Sequence, residues 1–405
     1  MIIHVRTCDS VDEFRDAAGA IVHYFGREKP DEDYAERWLK NFELDRMHAA
    51  LDGDSIVGGA GAFSFRLTVP GGIVPAAGVT IVGVLPTHRR RGILRSMMRA
   101  QLDEFRERGE PLAVLWASEE TIYGRYGYGL GSLALELQIP RVQSEFRPDI
   151  QTVGHVRMVD ATEAASLMPP VYDAVRRTTP GMYERSARWW EYRLLADLPQ
   201  YRFGGGPKNF TVLELDGVVS AYALYRLFVS FGSLGPETKL QTIEVMGASP
   251  AATASMWRFL LDVDWTQTIA GRMLPVDHPL LLLLARPNLA RPSISDGLWV
   301  RLVDVGAALS ERSYIGDGAV VFDVRDGFCD WNAGRWRLEG GDASRTDAEA
   351  DLALDVSDLG SVYLGGFTFR ELSRAGRLEE LREGAIARAD ALFRTDVAPW
   401  CPENF

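Results

Sequence analysis

The sequence predicts a mixed α/β protein of α+β type, with two copies of one architecture followed by a third part. Two observations predict the duplication. A strand, a tight Asp-Gly turn and a second strand read out of residues 48–60 and again out of 210–222. Each copy is followed at a similar distance by another strand and a helix. These are 80–84 then 93–108 in the first copy, and 242–245 then 252–262 in the second. A third observation sets off the remainder: after the proline-punctuated segment 286–292, short strands give way to helices toward the end.

The elements follow in order. Residues 1–6 read as an opening strand, and Gly109 is the expected stop for the helix over 93–108. A further strand is expected over 113–118. In the third part, strands are expected over 299–305, 319–324 and 335–338. A chain of 405 residues is too long for one ordinary domain. The apolar runs, such as 280–285, are too short to span a bilayer, and the first residues have no signal-peptide architecture. Cys8, Cys329 and Cys401 are scarce and far apart, giving neither metal-ligand spacing nor a disulfide framework. The expectation is a cytoplasmic protein without a metal.

The formal net charge is −12, the wrong sign for a nucleic-acid binder, whose affinity rests on phosphate contacts. An acidic field favours cationic partners such as amines and polyamines, and it also serves solubility alone.

The turn between strand and helix differs between the copies. The first reads Leu85-Pro86-Thr87-His88-Arg89-Arg90-Arg91-Gly92 and the second Met246-Gly247-Ala248-Ser249-Pro250-Ala251, without an arginine. Unpaired amides and the dipole at a helix N-terminus favour an anion, glycine lets the backbone approach it, and arginine matches phosphate geometry. The other reading is a solvated basic turn. Downstream, the strand over 113–118 leads into Ile122-Tyr123-Gly124-Arg125-Tyr126-Gly127-Tyr128.

Residues 85–94 resemble motif A of the GNAT superfamily of N-acetyltransferases, with Leu94 where that motif places Gly or Ala. Tyr123 to Tyr128 resembles its Tyr-x-x-x-Gly-Phe/Tyr segment. The match extends to Thr87–Gly92, Ala117-Ser118-Glu119, Gly297-Leu298-Trp299, residues 359–365 and an end at Phe405. Together these are similar to the enhanced intracellular survival (Eis) acetyltransferases over the whole chain.

The resemblance implies a catalytic GNAT domain over 1–145, a GNAT-like domain lacking the CoA-binding loop over 146–294, and a sterol-carrier-protein-like domain over 295–405. It also implies acetyl-CoA as cosubstrate, no metal, and a homo-hexamer. Acceptors would be amine-bearing small molecules such as aminoglycosides and polyamines, or lysine side chains. Tyr123 would be the general acid; by composition alone it could equally be a buried tyrosine packing on Tyr126 and Tyr128. The Phe405 α-carboxylate would be the general base, which requires enclosure to raise its ordinarily low pKa. Val82, Gly83 and Val84 would align the pantetheine arm, Arg89, Arg90, Arg91, Gly92 and Ile93 would hold the phosphates, and Ser118 would lie beside the arm. Tyr24, Asp31, Trp38, Ile81, Glu403 and Asn404 are the candidate acceptor residues. Acids in the 31–33 stretch also suit a helix start. Asn404 stands where the family has an acidic residue. The alternative function is a non-catalytic lipid or CoA carrier, or a sensor.

Overall fold

The computed structural model describes residues 3–232, 235–316 and 318–405, so Met1 and Ile2 of the expected opening strand lie outside the described residues. Helix and strand each take 34% of the described residues, a mixed class. The chain divides into two compact units. One holds the residues up to Ser132 with Leu298–Asp396 and Asn404–Phe405; the other holds Leu133–Gly297 with Val397–Glu403.

The first unit opens with strands β1 (Ile3–Thr7), β2 (Met47–Asp52), β3 (Ser55–Val69), β4 (Gly72–Val84), β5 (Leu112–Trp116) and β6 (Gly129–Leu130). Its helices are α1 (Val11–Val22), α2 (Glu32–Leu39), α3 (Ile93–Glu107) and α4 (Glu120–Tyr123). Helix α1 starts where the Ser10 hydroxyl accepts from the Glu13 amide at 3.3 Å. Helix α3 buries Ile93, Met97, Met98, Leu102 and Phe105, one apolar stripe at helical spacing, against the sheet. It ends where expected, with Gly109 in the left-handed region just beyond.

The second unit repeats the plan. Its strands are β7 (Leu133–Pro140), β8 (His155–Val159), β9 (Asn209–Leu215), β10 (Val218–Gly232), β11 (Gly235–Gly247), β12 (Thr268–Leu274) and β13 (Ser293–Asp296), ordered β13-β7-β12-β11-β10-β9-β8. Helices α5 (Ala161–Arg176), α6 (Ala187–Trp189), α7 (Pro250–Asp262) and α8 (Leu280–Leu283) accompany them. The β2–β3 hairpin, β4 and α3 thus recur as the β9–β10 hairpin, β11 and α7, the duplication that the sequence predicts.

One strand differs from expectation. The element expected over 299–305 is β14 (Leu298–Leu302), and it belongs to the first sheet, ordered β1-β2-β3-β4-β5-β14-β6. Leu298 pairs with Trp116 and Leu302 with Leu112, antiparallel, while Val300 faces Gly129 on β6. Leu298, Val300 and Leu302 are fully buried there. Val305 already begins helix α9 (Val305–Ser310), capped by the Asp304 carboxylate on the Ala307 amide at 3.0 Å.

The third part, within the first unit, forms its own sheet from β15 (Ala319–Arg325), β16 (Gly334–Glu339), β17 (Asp342–Arg345), β18 (Leu352–Asp355) and β19 (Leu378–Glu380), ordered β17-β16-β15-β18-β19. Helices α10 (Val356–Tyr363), α11 (Phe369–Arg374) and α12 (Ala385–Phe393) follow. Phe322, Phe369 and Phe393 fill its interior, with ring centroids 4.9–6.0 Å apart. No helix among the described residues is long and apolar enough to cross a membrane.

Candidate active site

The site grows out of a break in β4. Along β3 the register runs Gly59 to Gly83 and then Gly61 to Thr80, a bulge. Ile81 sits in it with φ +54, a left-handed conformation that a β-branched residue adopts only under constraint. On the other side, β4 pairs with β5 only from Ala76 to Val79, although β4 runs on to Val84. Beyond Val79 the strands part. Residues 80–84 therefore present a backbone edge toward the gap, able to receive an extended arm as an added strand. Val82, Gly83 and Val84 lie on this edge. The Tyr24 hydroxyl donates to the Val84 carbonyl at 2.7 Å, so this candidate acceptor residue is joined to the strand end.

The turn that follows is the basic one. His88 is fixed by its Nδ1 against Thr87 Oγ1 at 2.8 Å and by its Nε2 3.4 Å from Asp52. Arg89, Arg90 and Arg91 are exposed, with Arg90 at φ +62. Gly92 caps α3 at φ +80 and offers no side-chain oxygen to its first amides; a Cβ there would meet only open space. The helix thus begins with unpaired donors beside three guanidiniums, the chemistry a phosphate group requires. Ile93 is buried and anchors the helix start. Ser118 is exposed just past β5.

Tyr123 ends α4 and is 7% exposed. It packs with Ala62, Ala77, Val79 and Met98, and edge-on to Tyr128 at 5.9 Å. The packing on Tyr126 and Tyr128 considered from the sequence is thus present. Its hydroxyl makes no hydrogen bond to a described residue. Burial, then Tyr126 and Glu119, push the phenol up to about 12.

On the opposite face of β3 and β4 lies a row of aromatic rings. Tyr34, Trp38, Phe63 and Phe65 follow one another with centroids 5.6–5.9 Å apart, and Phe405 closes the row edge-on to Phe65 at 4.8 Å. Phe65 pairs with Ala76 and Phe63 with Gly78, while Ala77 and Val79 belong to the buried cluster that holds Tyr123. Side chains alternate across a strand, so the cluster holding Tyr123 and the aromatic row that Phe405 ends lie on the two faces of the β3–β4 pair. The sequence reading missed Phe63 and Phe65; their spacing of two on a strand beside Trp38 was the available signal.

The remaining acceptor candidates fall in different settings. Asp31 caps α2, its carboxylate accepting from the Tyr34 amide at 2.7 Å. Asn404 is exposed. Glu403 belongs to the second unit, where its carboxylate accepts from Trp189 Nε1 at 2.9 Å and Tyr183 Oη at 3.0 Å and pairs with Arg185 at 3.0 Å. Burial works against its charge, but Arg185 and Arg193 more than offset it and hold the carboxyl below its ordinary value. Its oxygens are thus already committed to protein partners. Among the described residues no group of His, Cys, Asp and Glu is arranged to hold a metal.

Comparison with known proteins agrees with this architecture. Residues 5–131 and 181–302 each match an acetyltransferase (GNAT) domain, and residues 305–402 match a sterol carrier protein domain. An uncharacterized N-acetyltransferase of Streptomyces avermitilis is 42% identical over 392 residues, 95% of each chain. The N-acetyltransferase Eis of Mycobacterium tuberculosis is 37% identical over 399 residues, 94% of this chain and 93% of its own. The crystal structure of Eis1 from Mycobacterium abscessus matches with a TM-score of 0.84 at 32% identity, covering 99% of this chain and 100% of that one. With this likeness along nearly its full length and two GNAT domains ahead of a sterol-carrier-like one, the chain belongs to the Eis family of N-acetyltransferases.

Proposed function

We propose that the protein transfers acetyl from acetyl-CoA to a primary amine by direct attack, in the first GNAT domain. One observation carries the reading: the parted end of β4 leads through three arginines into a helix whose first amides have no side-chain cap. An extended arm ending in phosphates suits that combination. Val82, Gly83 and Val84 align the arm, Arg89, Arg90, Arg91, Gly92 and Ile93 hold the phosphates, and Ser118 flanks the arm.

The amine nitrogen attacks the thioester carbon, the C–S bond breaks, and the sulfur leaves as thiolate. An alkyl amine with a pKa of roughly 10 must first lose a proton, and the Phe405 α-carboxylate takes it. Tyr123 faces the thiolate. A phenol held at about 12 is a weaker acid than a thiol of pKa about 8.5. It therefore donates a hydrogen bond to the sulfur as charge develops and passes its proton on as the nitrogen of the tetrahedral adduct gives up its own, which leaves a neutral amide, a thiol and a neutral phenol. Aminoglycosides, polyamines and lysine side chains are the acceptor class of this reading. Tyr24, Asp31, Trp38, Ile81 and Asn404 are its acceptor-side residues, and a hexamer is its assembly.

Thiol release from acetyl-CoA, followed with kanamycin, spermidine and a lysine peptide, tests it. The expected result is amine-dependent release that collapses in Tyr123→Phe and in a variant lacking Phe405. Release that persists without Phe405 removes the terminal carboxylate from the mechanism. Cofactor binding without turnover on any amine removes the activity.

A further inference from the structure

The Tyr123 turn is held from behind by a buried charge pair that this mechanism does not use. Arg301, on β14, is fully buried, and its Nη2 donates to Asp326 Oδ2 at 2.5 Å. Its Nε and Nη1 have no oxygen or nitrogen partner among the described residues, and the Cys329 thiol lies beside it. The guanidinium stands against Gly127: a Cβ at that position, where φ is +83, would lie 1.9 Å from Nη1. Gly127 closes the short turn that begins at Tyr123, its amide donating to the Gly124 carbonyl at 3.0 Å. The next residue, Tyr128, donates its amide to the Tyr123 carbonyl at 3.3 Å and packs its ring on Tyr123.

Asp326 is the hub behind this contact. Its Oδ2 also accepts from Asn332 at 3.1 Å, and its Oδ1 accepts from the Phe328 and Cys329 amides at 3.0 and 2.8 Å. The loop so shaped puts the Phe328 ring 5.0 Å from Tyr126 and under Arg95 and Arg99 of α3. One carboxylate therefore braces both the turn carrying the proposed acid and the helix that follows the basic loop. A buried ion pair gives little net stability compared with apolar groups of equal volume. A planar guanidinium does give a flat, rigid floor beneath a glycine.

We propose that Arg301 and Asp326 are positioning residues for Tyr123: the pair sets where the phenol stands relative to the parted end of β4. The inference rests on the reading of Tyr123 as the acid. The third part of the chain thereby contributes Asp326 to the first domain's reaction.

The test is a double-mutant cycle on acetyl-CoA thiol release. Arg301→Lys and Arg301→Met are measured alone and with Tyr123→Phe, together with thermal melts. Each single Arg301 variant should lower kcat at least about tenfold while moving KM for acetyl-CoA by less than about threefold, as misplacement of a catalytic group does. In the Tyr123→Phe background the same change should cost less than about twofold. Equal losses in both backgrounds, or a kcat unchanged in a cooperatively melting Arg301 variant, overturn the positioning role. Where Arg301→Met does not fold, Arg301→Lys decides. Full activity of Tyr123→Phe removes the acid assignment itself and this inference with it, an outcome distinct from additivity.

Discussion

The same turn in the two copies is finished in opposite ways. In the first, β4 passes through three arginines and α3 begins at Gly92 with no side chain on its amides. In the second, β11 reaches α7 at Ser249, whose hydroxyl accepts from the Ala252 amide at 3.2 Å, with Pro250 as the first helical residue. The second helix closes its N-terminus from within, while the first has no side-chain cap. The strands differ in the same sense. Thr80-Ile81-Val82 and Thr242-Ile243-Glu244 occupy corresponding places, and Glu244 is locked in a buried two-pronged pair with Arg185 at 2.9 and 2.6 Å. The Tyr222 hydroxyl donates to the same carboxylate at 2.5 Å. The second copy thus sets a buried cluster of its own polar groups where the first presents the free end of a strand.

The comparison breaks most visibly if catalysis is not confined to the first copy. Tyr123→Phe should lower kcat by about 10²–10⁴, the range of general acid catalysis, in the thiol-release assay. Substitutions in the second copy's turn, such as Ser249→Ala, should leave kcat unchanged. Comparable losses from both sets would end the division of labour.

The filled place in the second copy should matter to stability. Arg185→Met strips buried Glu244 of its cation, leaves Glu403 with Arg193 alone, and should cost about 3–5 kcal/mol by urea unfolding. Next in size is an acid limb. His278 is fully buried, and burial holds it down to about 3; donors from Trp257 and Leu280 face its two ring nitrogens at 3.2 Å. His48 in the first copy is held down to about 4 by burial and then by Arg46 and Arg108. A folded pKa below the unfolded value near 6.5 means the unfolded chain takes up protons first. Stability is thus complete above about pH 6.5 and falls as pH drops toward 3, by roughly 3–5 kcal/mol for His278. Urea midpoints measured from pH 7 to 4 check this, and His278→Gln should flatten the limb. A midpoint that does not move with pH would contradict it.

Smaller effects sharpen the contrast between the turns. Replacing Arg89, Arg90 and Arg91 singly by Ala should each raise KM for acetyl-CoA by up to about tenfold with little change in kcat, since exposed charges bind weakly. Ser249→Ala should cost about 1 kcal/mol through the lost cap.

Elements whose signals are local are legible in the residues. The Asp-Gly hairpins, α3 with its stop at Gly109, and the Arg89–Gly92 turn all appear where period and turn chemistry put them, because each depends on neighbours a few positions away. The family too is legible there, through short motifs in the right order. The remaining features depend on distant partners. β14 reads as the opening of the third part, yet it pairs with β5 because an apolar strand is completed by whichever edge is open, and no local pattern names that edge. The acid stretch at residues 31–33 suits both a cation and a helix start, and the fold shows the helix start, with Asp31 accepting from the Tyr34 amide. Glu403 is a candidate acceptor residue in the sequence, and its pairing with Arg185, more than two hundred positions earlier, is visible only in the fold. Strain at Ile81 and the pressure of Arg301 on Gly127 arise only when strands and side chains from separate stretches meet, which is why neither could be seen in the residues alone.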